Sequence, residues 1–343
     1  MVKRPTIPDL AEFAGVSVST VNRVVNGSDS VRQPTRERIL RAAEEIGFYG
    51  LGSIEHEVKR WRETHKLGVL LQQGNRAFSR TVSDALYRAA AEDLDGTVEL
   101  TVEFLDDLTA DTVAARLIDL GERCESVALL AAGHPILSNA IDTVLQTGVP
   151  VTALVSQLSA KGNVSFVGLD NWKVGRTAAW AFDKIVRQPG KIGILVGNHR
   201  YRCQELNESG FRSYFREYNP SFTLLEPLST YESAAVAREK TEYLLAEHPD
   251  MCGLFVSGGG ITGALAALRD QPRREDFFTV GYELYDATRT ALIDGTLNFV
   301  ISHPFEIFAR KALATMIKAK KNGSDAGAQN VSLEFDIYTS ENV

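Results

Sequence analysis

With 343 residues, the chain is too long for one small domain and suits a small head joined to a large or two-lobed body. Its composition, 44% hydrophobic and 24% charged, excludes a disordered or fibrous protein, and no apolar run nears the ~20 residues of a bilayer span. The net charge of −7 argues against a surface coated in nucleic acid, but residues 1–66 carry 11 Lys+Arg against 9 Asp+Glu while the other 277 carry 26 against 35. A near-neutral-to-basic head on an acidic body suits DNA contact confined to one end. Cys124, Cys203 and Cys252 lie far apart, matching neither a metal spacing nor a disulfide framework, and Met1–Asp9 has no apolar core of a signal peptide. A cytoplasmic protein with idle thiols is expected.

The first element is a short helix over Thr6–Gly15. Thr6 can cap it, Pro8 is tolerated in its first turn, Asp9 complements the dipole, and Gly15 ends it. Leu10, Phe13 and Ala14 form its apolar stripe. Val16 fills the turn and Ser17 caps a second helix, Val18–Val25, with Val21, Val24 and Val25 inward and Val18, Ser19, Asn22 and Arg23 outward. After the turn cluster Asn26-Gly27-Ser28-Asp29, a third helix, Pro34–Ile46, buries Ile39, Leu40, Ala43 and Ile46 and stops at Gly47. Helix, glycine turn, helix is the arrangement whose second helix enters the major groove. Short polar residues and one arginine on the outer face, in place of a Glu/Lys solvent face, favour DNA reading over a plain three-helix bundle.

The run Ile7-x-Asp9-Leu10-Ala11-x-x-Ala14-Gly15-Val16-Ser17-x-x-Thr20-Val21-x-Arg23-Val24-Val25-Asn26-Gly27, continued by Thr35-Arg36-Glu37-Arg38-Ile39 and Ile46-Gly47-Phe48, resembles the headpiece of the lactose-repressor (LacI/GalR) family. That resemblance implies base contacts from Val18, Ser19 and Arg23, with Arg23 suited to guanine. It implies phosphate contacts from Ser17, Thr20, Asn22, Asn26 and Thr35, to which the capping Thr6 is added; these set register without reading sequence. Asn22 replaces the serine usual there.

Residues 51–66 form a connector. It lacks the Pro-Asn start of relatives, and Glu57 stands where they carry a leucine wedge for the minor groove. Ile54, Val58 and Trp61 share a helical face, expected to pack on a partner subunit or the body in preference to entering DNA.

From Leu67 onward, short apolar runs alternate with amphipathic stretches, the signature of parallel sheets with helices on both faces. Strands are expected at 67–71, 98–104, 127–131, 149–154, 192–196, 222–228, 254–257, 277–282 and 297–302. The rhythm breaks near Phe166–Asp170 and restarts at Lys191. The expected fold is therefore α/β: an all-α helix-turn-helix headpiece (1–50), the connector, and an effector-binding, dimerising body (67–343) of two doubly wound parallel-sheet lobes, about 67–168 with 299–331 and about 169–298 with 332–343. The periplasmic sugar-binding-protein fold that the family fuses to its headpiece matches this plan.

In such sheets ligands bind beyond the carboxyl ends of the strands. Asn75 and Phe78 follow the first strand, His134 the third, Asp170 the linking strand, Ser257 the strand from Leu254, and Glu283 the strand ending in Tyr282. Asn207 stands where relatives often carry a ligand-binding arginine, and Arg202 is a nearby substitute for that charge. A competing pattern, Gly258-x-Gly260-x-x-Gly263 with Glu283 20 residues on, fits a dinucleotide site for NAD or NADP and hence an enzyme or redox sensor. It falls late in its lobe and has no catalytic or metal-binding constellation beside it, so a non-enzyme without cofactor is favoured; the bare amides there suit a sugar carboxylate or phosphate. The expected protein is a ligand-controlled repressor binding a pseudo-palindromic operator as a homodimer, with a sugar or sugar acid between its lobes. No leucine heptads follow residue 320 to build a coiled-coil tetramer.

Overall fold

The computed structural model describes residues 4–28, 30–60, 63–92, 96–272, 274, 276–323 and 327–343; Asp29 of the expected turn and Trp61 of the connector face lie outside them. The chain forms two units, Met1–His65 with Asp93–Glu99 and Lys66–Glu92 with Leu100–Val343.

The head contains α1 (Ile7–Phe13), α2 (Val18–Val25), α3 (Gln33–Ile46) and α4 (Leu51–Arg60). Gly15, with φ +63°, makes the tight turn between α1 and α2 that a side chain would strain. Leu10, Val21, Val24, Ile39 and Ala43 close a core that also takes in Ile54 and Val58, both fully buried. The connector therefore forms a fourth head helix, packed on α2 and α3, where a partner or body contact was expected. The reason is geometric: Ile54 and Val58 lie one turn apart and complete the cover over the head's apolar centre. Buried Arg36 donates through Nε to the Val31 carbonyl at 2.8 Å and through its guanidinium to that of Ser28, pinning the turn before α3.

The body alternates strand and helix: β1 (Thr64–Gln72), α5 (Ala77–Ala91), β2 (Thr97–Leu105), α6 (Ala110–Arg123), β3 (Ser126–Leu129), α7 (Pro135–Gln146), β4 (Val151–Leu154), β5 (Ser165–Leu169), α8 (Asn171–Ile185), β6 (Lys191–Val196), α9 (Arg202–Tyr218), β7 (Thr223–Leu224), β8 (Leu228–Ser229), α10 (Ala234–Glu247), β9 (Met251–Val256), α11 (Ile261–Arg269), β10 (Phe278–Tyr282), α12 (Asp286–Ile293), β11 (Phe299–Ser302), α13 (Phe305–Asn322), β12 (Asn330–Leu333) and β13 (Asp336–Tyr338). The strand expected over 222–228 is broken in two, because Pro227 can give no amide hydrogen to a ladder.

Two sheets result, ordered β12-β5-β4-β3-β1-β2 and β13-β11-β10-β9-β6-β7, with β8 also on β6. Burial of both faces explains the nearly continuous apolar runs of β3, β4, β6 and β9. The chain passes between lobes after β5, after β11 and between β12 and β13. Residues 299–302 were expected to open the return to the first lobe. They instead pair with β10 in the second, and the passage falls at His303-Pro304, since a further parallel strand there completes the second sheet. Likewise β12 keeps residues 332–333 with the first sheet, beyond the expected limit.

Candidate functional site: an interlobe cleft and an exposed recognition helix

On α2, Val21 and Val24 are fully buried while Val18, Ser19, Asn22 and Arg23 are exposed on the opposite side. Ser17 caps the helix, its Oγ accepting from the Thr20 amide at 3.2 Å and lying 2.8 Å from the hydroxyls of both Ser19 and Thr20. Thr6 starts α1, its amide and hydroxyl donating to Asp9 at 2.7 and 2.5 Å. Asn26 ends α2 in an exposed position, and Thr35 is half-buried in the first turn of α3. The residues expected to touch bases thus share one solvent-facing side of one helix, with the expected phosphate contacts beside them on α2, at its ends, and at the starts of α1 and α3.

In the body, a cavity of about 520 Å³ lies between the lobes, lined from the first by Gln72, Asn75, Arg76, Phe78 and Val155 and from the second by Tyr201, Asn207, Glu232, Ser257, Tyr282 and Glu283, among others. Strands β1, β4, β9 and β10 all deliver residues to it from their carboxyl ends, as open α/β sheets do. Helices α8 and α9 meet backbone to backbone: a Cβ on Gly175 would stand 1.9 Å from the Asn207 carbonyl, and one on Gly210 2.3 Å from that of Trp172. This contact holds Asn207 at the cavity.

Two independent properties single this cavity out. First, unpaired polar atoms gather there. Ser257 Oγ is buried without a partner, and neither amide atom of Asn207 closes a hydrogen bond, although the side chain leans on the Tyr282 hydroxyl. Each such atom costs about 1–3 kcal/mol until something bonds it. Second, backbone strain gathers there. Among the described residues, the non-glycines with left-handed φ are Val155, Tyr231, Glu232 and Glu283; three line the cavity and Tyr231 adjoins it. Such residues cost about 1–3 kcal/mol each and persist where the fold needs a side chain aimed.

Glu283 forms the floor. Its Oε1 lies 2.6 Å from His303 Nδ1, and its Oε2 accepts from the Ser302 hydroxyl and the His303 amide, each at 3.1 Å. His303 Nε2 has no partner. The Phe78 ring packs edge-on against His303 and Phe305, with centroids 6.1 and 5.9 Å away. Burial, then the Glu283 charge, pushes the Tyr282 and Tyr285 hydroxyls above their ordinary range, so both remain protonated donors. Burial also pushes the Cys203 thiol up to about 12, leaving it unreactive at neutral pH.

Of the residues expected at the effector, Asn75, Phe78, Asn207, Ser257 and Glu283 come together. His134, Asp170 and Arg202 do not. His134 starts α7, its Nδ1 accepting from the Ile136 amide at 3.2 Å. Arg202 is paired with Glu205 at 2.7 Å, and both it and His134 line a separate, larger groove of about 780 Å³. Asp170 caps α8, accepting from the Lys173 amide at 3.2 Å, because a short acidic side chain before a helix satisfies its free amides most cheaply. Glu232, Gln204 and Tyr201 were missed as candidates, as was His303. The last stands directly beyond β11 and was open to the strand-end rule used for the others.

The glycine-rich loop has another cause than dinucleotide binding. A Cβ on Gly263 would fall 1.7 Å from the Ala234 carbonyl, so this glycine lets α11 and α10 touch. One on Gly259 would fall 1.8 Å from Glu232 Oε2, so a carboxylate of the chain itself lies over the loop where a pyrophosphate would have to sit.

A helix-turn-helix head with an open recognition face, joined to a body whose two lobes enclose unpaired polar atoms, defines a DNA-binding regulator under small-molecule control. The bacterial regulatory proteins of the lacI family match residues 6–50 and the periplasmic binding protein domain matches residues 67–324. The chain thus joins a lacI-family DNA-binding domain to a body that belongs to the periplasmic binding protein domain family. Relatives include the HTH-type transcriptional regulator CelR of Thermobifida fusca, 25% identical over 99% of this chain and 98% of that one. The head alone is 46% identical to the HTH-type transcriptional regulator GalR of Streptococcus thermophilus, over 16% of this chain and 17% of that protein. The body shares its fold with a periplasmic solute-binding protein of Actinobacillus succinogenes solved with D-allose (TM-score 0.73, 16% identity, covering 81% of this chain and 98% of the other).

Proposed function

We propose that the chain is a cytoplasmic, homodimeric repressor whose hold on a pseudo-palindromic operator is set by a sugar bound between its lobes. In this reading Val18, Ser19 and Arg23 read bases, while Thr6, Ser17, Thr20, Asn22, Asn26 and Thr35 grip phosphates. A single recognition helix buries too little for specific binding, which calls for two heads and hence a dimer, with the first lobe as its seam. Asn75, Phe78, Asn207 and Ser257 contact the sugar, and Glu283 positions His303 beneath it. Sugar control is supported by relatives such as the ribose operon repressor of Bacillus subtilis, 25% identical over 91% of this chain and 92% of that one. The regulators among the relatives favour binding over catalysis.

The observation that carries the reading is the gathering of unpartnered polar atoms at Asn207 and Ser257 in one interlobe cavity. A ligand that bonds them prefers the closed body, and it changes DNA affinity only by that preference, about 5- to 150-fold for ordinary couplings. The test is fluorescence anisotropy with an operator taken from genomic selection, titrated with sugars. A shift of tenfold or more in operator Kd with one sugar, abolished by Asn207→Ala, is expected. Operator binding indifferent to every sugar would overturn the reading.

A further inference from the structure

We infer that the effector is an uncharged polyhydroxy compound, a neutral sugar or alditol, and that Glu232 excludes its acid and phosphate derivatives; this rests on the cleft reading above and narrows it. Glu232 stands between β8 and α10 with its side chain 12% exposed. Its Oε2 receives Arg76 Nη1 at 2.9 Å from the opposite lobe, and its Oε1 receives Gln204 Nε2 at 2.6 Å. Arg76 Nη2 also donates to the Glu232 carbonyl at 3.3 Å. The backbone is bent to achieve this: Tyr231 and Glu232 are consecutive non-glycines at φ 51° and 62°. Strain at two successive residues persists only where the fold over-determines it.

The carboxylate lies against bare backbone. A Cβ on Gly259 would stand 1.8 Å from its Oε2, and one on Gly197 1.8 Å from its Oε1. The loop opening α11 is the part of the cavity whose exposed amides would welcome an anion. Glu232 has taken that place and has also paired the Arg76 guanidinium. Glu283 is engaged with His303, and Arg80, exposed at the rim, donates to the Gly74 and Asn75 carbonyls. An incoming carboxylate or phosphate would therefore meet a like charge and, among the described residues lining the cavity, find no buried arginine or lysine free to receive it.

Hydroxyls meet no such obstacle. One can donate to Glu232 while its neighbour accepts from Arg76, so the ion pair reads two adjacent hydroxyls across both lobes. The unpartnered groups, the Asn207 amide and the Ser257 hydroxyl, each donate and accept, as sugar hydroxyls do.

The test is isothermal titration calorimetry on the full chain with aldopentoses, aldohexoses and alditols, each compared with its aldonic acid and terminal phosphate. At least one neutral compound should bind tenfold or more tightly than its charged partners. Glu232→Gln, which keeps the shape and removes the charge, should narrow that ratio to about threefold. Raising the salt should narrow it in the unaltered protein, because repulsion between like charges is screened. An acid or phosphate binding as tightly as its neutral parent would overturn the inference while leaving sugar control intact. So would a ratio that neither Glu232→Gln nor salt alters. If no member of either set binds, the cleft reading falls and takes this inference with it.

Discussion

The head and the body solve opposite problems with the same polar residue types. On α2, Ser19, Asn22 and Arg23 face solvent, so leaving them without DNA costs nothing. In the cleft, Asn207 and Ser257 are buried and unpaired, which costs the body stability until a partner bonds them. The difference sets what each partner does. DNA adds contacts to a finished head, whereas an effector completes an unfinished body, and so should raise the thermal stability of the body alone.

Breaking the floor of the cleft should show the largest effect. Glu283→Ala removes the carboxylate that holds His303 Nδ1, on a ring whose Nε2 is already without a partner. Losing one member of a buried hydrogen-bonded pair should cost about 3 kcal/mol, and with it roughly 6–10 °C of the body's Tm. Differential scanning calorimetry should show the body transition falling and the head transition in place, with operator binding kept below the new transition and the sugar response lost. Equal destabilisation of both transitions would break the contrast between the two regions.

The same contrast governs how much was legible from residues alone. Everything that arms the head lies within Thr6–Thr35, on helices whose faces follow from a period of 3.6, so the outward set on α2 could be read directly. The cleft draws on segments from Gln72 to Tyr285, and only the strand-end rule connects them. That rule reached Asn75, Phe78, Ser257 and Glu283 because they follow strands closely. It misplaced His134 and Asp170, because the residue after a strand is often also the residue before a helix, and both became caps. Glu232 was beyond its reach. It follows a two-residue strand that begins just after Pro227, and its aim depends on a left-handed backbone that no periodicity announces. The glycines of 258–263 were visible, but their cause lies in α10 and Glu232, far along the chain.

A smaller effect, of about 1–3 kcal/mol, should follow Arg23→Ala, and it should appear only on the operator. Competition binding between operator and random duplex would measure it: selectivity falls about tenfold or more while random-sequence affinity and its salt slope hold. If both duplexes lose affinity equally, Arg23 serves as a phosphate contact and the exposed face of α2 does not read sequence through it. The sugar response of the surviving complex should be unchanged, since Arg23 stands in the other unit from the cleft.

Ser17 offers the finest probe, because its hydroxyl is both the cap of α2 and a proposed phosphate contact. Ser17→Ala should destabilise the head by about 1 kcal/mol through the lost cap, and weaken DNA binding partly for that reason. Ser17→Asp separates the two roles. Aspartate caps as well as serine and complements the positive end of the helix dipole, so head stability should be kept. Its negative charge, however, would face the phosphate. Affinity for every duplex should then fall about tenfold at low salt, and less as salt screens the repulsion. A Ser17→Asp head that melts like the parent and binds DNA as tightly would place Ser17 away from the backbone, and would turn α2 from its proposed seat in the groove.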